Sequence, residues 1–228
     1  MSVARIKLKD RILPVYTKGE EVFNMVSHIV GGAIGIATLV FCILIPALRG
    51  SVSGVLCGTV FGFSMTSLYC MSSIYHGLRP NLAKRVFQVM DHCTIYFLIA
   101  GTYTPILVCC MAKQYPLAAW ITFGAVWGLA ALAVTLTAID LHKYKVFSQV
   151  CYIGMGWAVI FSMRQAYETL GATGFYLVLG GGIFYTAGAI FFRIGKKIRY
   201  FHSVFHLMTL AGSILHALAV MFYVLWRA

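Results

Sequence analysis

Acid is the scarcest chemistry in this chain: 228 residues hold six Asp and Glu against 18 Lys and Arg, and only 11% are charged. A soluble domain carries about a quarter charged residues. The shortage excludes an ordinary soluble domain, and 61% hydrophobic residues exclude a disordered chain. CxxC spacing is also missing. The seven cysteines are odd in number and each lies in an apolar run, which argues against a disulfide framework or a thiolate zinc site and for buried thiols packed as small apolar groups. No low-complexity tract or linker divides the chain. No small-residue cleavage site follows the first apolar run, so it does not read as a signal peptide.

What is present is apolar length, with a mean hydropathy of +0.86. About 20 apolar residues span the hydrocarbon core as a helix. Seven runs approach that length: Val22–Leu48, Gly54–Tyr75, Gln88–Met111, Leu117–Ile139, Val146–Met163, Thr173–Ile194 and Phe201–Trp226. The sequence therefore predicts an all-α membrane protein, a seven-transmembrane-helix bundle over residues 22–228. Residues 1–21 form a short basic N-terminal segment, either a surface helix ending near Pro14 or a solvated tail.

The net charge of +12 suggests nucleic acid in a soluble protein. Here it reports orientation. Fourteen Lys and Arg fall on one side of the alternating connectors, among them Arg5, Lys7, Lys9, Arg11, Arg79, Lys84 and Arg85. Four fall on the other: Arg49, Lys113, Arg164 and Arg227. Positive charge gathers in the cytoplasm. The N-terminus is expected inside and the C-terminus outside, with membrane lipid as the partner and no nucleic acid.

Glycines recur at four-residue spacing: Gly31 and Gly35; Gly54, Gly58 and Gly62; Gly124 and Gly128. Such spacing lets helices approach closely in lipid. Pro46 and Pro105 sit near helix ends, where they terminate or bend a helix.

Ionisable side chains inside apolar runs carry the functional signal, because they are expensive in lipid. Asp91 is the one acid within a predicted span. Two readings of it stand open: a working carboxylate, or a structural acid that either reaches water near the interface or pairs with Lys84 or Arg85. His202 and His206 are four apart and stack on one helix face about 40° apart, the geometry by which a helix offers two imidazoles to one metal. Ser72 and His76 share a face on the second helix. By topology His76, Asp91, His202 and His206 fall at one depth, and three imidazoles with a carboxylate suit zinc. His216 lies about 15 Å deeper along its helix and reads as a core histidine bonded across helices. His142 reads as a solvated loop residue. Glu20, Asn24 and His28 share a face of the first helix as interfacial anchors or outer-sphere groups. His92 points about 100° away from Asp91 and serves a different surface.

These motifs resemble the bacterial hemolysin III family of the progestin and adipoQ receptor superfamily. The resemblance rests on Glu20, Asn24 and His28; on Ser72-Ser73-Ile74-Tyr75-His76; on Asp91-His92 with Ala100-Gly101-Thr102-Tyr103-Thr104-Pro105; and on His202-Ser203-Val204-Phe205-His206. It covers the chain from Glu20 onward and implies a multi-pass protein of the bacterial plasma membrane. It implies a zinc ion held by His76, His202 and His206, with Asp91 holding a zinc-bound water or reaching the metal, and Ser72 beside them. The superfamily also resembles the alkaline ceramidases, which implies hydrolysis of a lipid amide or ester. A receptor or membrane-state sensor with structural zinc is the second expectation. A pore is disfavoured, because the ionisable residues gather at one face.

Overall fold

The computed structural model describes residues 7–228; Arg5 and the start of the basic segment lie outside them. Among the described residues every regular element is helical. Helix α1 spans Lys18–Ala47, α2 Val52–Gly77, α3 Leu82–Pro105, α4 Pro116–Ile139, α5 Lys145–Gly156, α6 Met163–Ile194 and α7 Phe201–Ala219. A π-helical segment, Ile106–Met111, extends α3 directly after Pro105, and another, Val220–Val224, extends α7. Six helical stretches are long and apolar enough to cross a membrane.

The fifth of these stretches, Lys145–Ile194, is 50 residues long. At 1.5 Å per residue it would measure about 75 Å straight, against a core of about 30 Å. It is not straight. A 3₁₀ segment at Ala158–Ser162 follows α5. Gly171 then breaks α6 with φ 73° and ψ 168°, a backbone state glycine adopts without steric cost. The predicted fifth and sixth runs both lie in this stretch, on either side of Gly171.

Several boundaries move. Helix α1 starts at Lys18, four residues before the predicted Val22, because Thr17 and Glu20 form a reciprocal capping box. Helix α3 starts at Leu82, six before Gln88, where the Asn81 side chain accepts from the Lys84 amide. Both corrections have one cause. Charged side chains in the first turn lower hydropathy without stopping a helix.

Most of the predicted glycine contacts occur. A Cβ at Gly58 would lie 2.2 Å from the Cys42 carbonyl oxygen, and one at Gly62 2.5 Å from Leu39 Cα. At Gly31 it would enter the Tyr69 ring, at 2.4 Å. The α1–α2 crossing thus depends on missing side chains. Gly124 and Gly128 have nothing within 4 Å, so the same spacing on α4 serves no close contact. All seven cysteines are free.

From residue 7 to residue 17, the described part before α1, the N-terminal segment holds neither the expected surface helix nor a fully solvated tail. It is a single 3₁₀ turn, Leu8–Asp10, followed by extended chain folded onto the bundle end. Arg11 is 2% exposed. Its Nη2 donates to the Ile139 carbonyl at 2.9 Å, and its own carbonyl accepts from Arg85 Nε at 2.8 Å. His142 is also not simply solvated: it is half-buried, and burial with Arg11 nearby pushes its imidazole below the ordinary range.

Candidate metal centre

Four elements deliver their ends to one place. His76 sits in the last turn of α2, and His202 and His206 in the first two turns of α7. Helix α1 begins beside them, and the chain before it crosses the cluster. The three histidines are 3%, 6% and 1% exposed. One nitrogen from each lies within 4.8 Å of the others; among the described residues no other group of three His, Cys, Asp or Glu side chains does this.

The spacing suits a metal. For metal–nitrogen bonds of 2.0–2.1 Å and a tetrahedral angle, ligand nitrogens lie about 3.3 Å apart and ring centroids about 5.2 Å apart. The Nε2 atoms of His202 and His206 are 3.2 Å apart. The ring centroids are 4.8, 4.9 and 5.5 Å apart. His28 also touches the cluster, but its ring lies 3.8 Å from that of His206, too close for both to ligate one ion in this geometry. It packs on the face of a ligand instead.

Glu21, which lies outside the predicted apolar runs, also joins the cluster. Its Oε2 lies 2.6 Å from His76 Nδ1, and its Oε1 accepts from Lys84 Nζ, also at 2.6 Å. A carboxylate only accepts, so Nδ1 carries a proton, and in the neutral imidazole Nε2 keeps its lone pair. That Nε2 is buried without a hydrogen-bond partner. An imidazole held by a carboxylate on one nitrogen and free on the other is the usual outer-sphere arrangement of a metal-binding histidine. The signal that could have found it is the Thr17-x-x-Glu20 capping spacing, which starts α1 at Lys18 and puts Glu21 in its first turn.

Glu20 itself anchors. It accepts from Thr17 and from the Tyr200 amide. Asn24 accepts from the Ser203 hydroxyl at 2.7 Å, tying α1 to α7 between the two histidines of that helix.

Ser72 is buried one turn before His76. Asp91 stands outside the close triad. Its nearest ionic partner is His92 at 3.8 Å, while Lys84 goes to Glu21 and Arg85 to the Arg11 carbonyl. The pairing expected for Asp91 with Lys84 or Arg85 is therefore absent. Its side chain is 17% exposed and electrostatically close to Tyr16. Tyr16 stacks on His202, with centroids 4.8 Å apart and planes 22° from parallel. Burial, then the charges of Glu21 and Asp91, push its phenol above the ordinary value, so it stays neutral. His216 donates from Nε2 to the Val178 carbonyl at 2.9 Å, the cross-helix bond expected of it. His92 bonds the Gln88 carbonyl at 2.8 Å and is not one of the three clustered histidines.

The sequence profile of the haemolysin-III related family matches residues 16–217. Hemolysin-3 of Bacillus cereus is 37% identical over 206 residues, 90% of this chain and 92% of that protein. The hemolysin-3 homolog of Bacillus subtilis (strain 168) is 35% identical over 212 residues, covering 92% and 96%. The human monocyte to macrophage differentiation factor is 25% identical over 173 residues, covering 74% and 68%. Helices fit to cross a membrane, a histidine cluster built from α2 and α7, and a match over nearly the whole length agree: the chain belongs to the haemolysin-III related family.

Proposed function

We propose that this protein is a zinc-dependent hydrolase of lipid amides or esters, set in the bacterial plasma membrane and acting in membrane lipid homeostasis. The observation that carries the reading is the buried triad with its carboxylate-held ligand. Such a group is costly in a membrane and is retained for function.

In this reading the Lys145–Ile194 stretch crosses the membrane twice, before and after Gly171, giving seven passes. The N-terminus lies in the cytoplasm by the charge count of the connectors. Zinc held by His76, His202 and His206 would polarise a carbonyl and bring the pKa of a coordinated water toward about 7.

The protein's own groups do the rest. Glu21 orients His76, with Lys84 holding Glu21. Asp91, too far from the triad to be a close fourth ligand, accepts and returns a proton through an intervening water. Ser72 donates its hydroxyl to the substrate oxygen where negative charge develops. The lipid substrate enters sideways between helices, since its acyl chain is already in the bilayer.

The test is hydrolysis by purified protein of an N-acyl lipid and an ester lipid, read as released fatty acid. Wild type should release it. Asp91→Ala should bind metal normally and release at least about a hundredfold less. Equal release by wild type and Asp91→Ala would sink the assignment. A second reading, a receptor with structural zinc, draws on the near-complete burial of the triad. It expects metal removal to destabilise the bundle and no product to form.

A further inference from the structure

Four residues at the start of α1 recur at intervals of four: Tyr16, Glu20, Asn24 and His28. Each meets the start of α7. Tyr16 stacks on His202, with centroids 4.8 Å apart and planes 22° from parallel. Glu20 Oε1 accepts from the Tyr200 amide at 2.7 Å. Asn24 Oδ1 accepts from the Ser203 hydroxyl at 2.7 Å. The His28 ring lies 3.8 Å from that of His206, tilted by 33°. The two middle contacts are hydrogen bonds that hold α1 and α7 in register. The two outer ones are ring contacts, and each falls on one of the two clustered histidines of α7. Glu20 also accepts from the amide and hydroxyl of Thr17 through Oε2. One carboxylate thus ties the residue after Tyr16 to the residue two before His202.

These ring contacts fall where a ligand needs them. A metal–nitrogen bond lies in the plane of its imidazole, so a ring that turns swings its nitrogen off the metal. Glu21 stops that turn in His76. Among the described residues the ion pairs of histidine are His76 with Glu21 and His92 with Asp91, so His202 and His206 have no carboxylate to fix them. A flat ring packed on the face of each restricts the same rotation.

Rotation also bears on the choice of metal. Nickel and zinc compete for the same imidazole donors, and geometry selects between them. Zinc takes a tetrahedral set, whereas nickel prefers a tetragonal one. Imidazoles free to turn can adapt to either.

We infer that Tyr16 and His28 are positioning residues that lock the rotation of His202 and His206, and so set the preference of the site for zinc over nickel. The inference rests on the zinc site of the proposed function and not on hydrolysis.

The test titrates full-length protein in detergent with zinc and, separately, with nickel, each in competition with a fluorescent chelator. Wild type should prefer zinc. Tyr16→Leu keeps bulk and loses the flat ring. It should bind zinc about tenfold more weakly, the lower end of the usual cost of losing an outer-sphere partner, with nickel affinity unchanged. His28→Leu should do the same. Tyr16→Phe, which keeps the ring and loses the hydroxyl, should match wild type for both metals. An unchanged preference for zinc in both Leu variants overturns the inference. So does equal weakening by Tyr16→Phe and Tyr16→Leu, which would assign the effect to the hydroxyl. Parallel loss of both metals from the Leu variants overturns it too, since the rings would then only support the fold. Wild type that takes up neither metal overturns the zinc site and this inference with it, a result distinct from the others.

Discussion

His76 Nδ1 donates to Glu21 Oε2 at 2.6 Å, and that bond turns the free Nε2 of His76 toward His202 and His206. The geometry thus aims one nitrogen of His76 at the other two histidines. Because Lys84 Nζ bonds the other oxygen of Glu21, α1, α2 and α3 are joined at the edge of the cluster.

Glu21→Gln should therefore bind zinc about 10–100-fold more weakly, the usual cost of losing an outer-sphere carboxylate. Competition with a fluorescent chelator measures this. The weakening should appear with little change in secondary structure by circular dichroism. An unchanged affinity would mean that the bond only staples helices.

Glycine substitutions should separate tight crossings from open faces. Gly58→Ala places a methyl against the Cys42 carbonyl and should cost about 1–3 kcal/mol. Gly124→Ala meets nothing within 4 Å and should be neutral or slightly stabilising. Thermal unfolding in detergent, run side by side, reads the difference. Equal effects would refute the packing account of α1 and α2.

His216 should matter for stability and not for metal. His216→Leu loses its bond to the Val178 carbonyl and should cost on the order of 1 kcal/mol. Zinc content should stay at the wild-type level, since this residue lies far along α7 from the cluster. Loss of metal in this variant would mean that the cluster and the deeper helix are coupled.

The candidate triad was readable from sequence because two periodicities pointed at it. Four-residue spacing put His202 and His206 on one face, and alternation of the spans brought His76 to their depth. Glu21 and Tyr16 were not readable in the same way. Hydropathy begins the first helix where charge ends, so it leaves out the first turn that holds Glu21 and the chain before it that holds Tyr16. His142 looked solvated because its sequence neighbours are polar, and only the fold brings Arg11 over it. Along residues 145–194, composition shows two apolar runs but neither the 3₁₀ segment at Ala158–Ser162 nor the helical turns that resume at Met163 before the break at Gly171.

If His76, His202 and His206 hold a metal, the purified protein should carry it. Elemental analysis of purified wild type beside His206→Ala tests it most directly. Wild type should carry close to one equivalent of zinc and the variant almost none, with both proteins folded. Equal and negligible metal in both would contradict it.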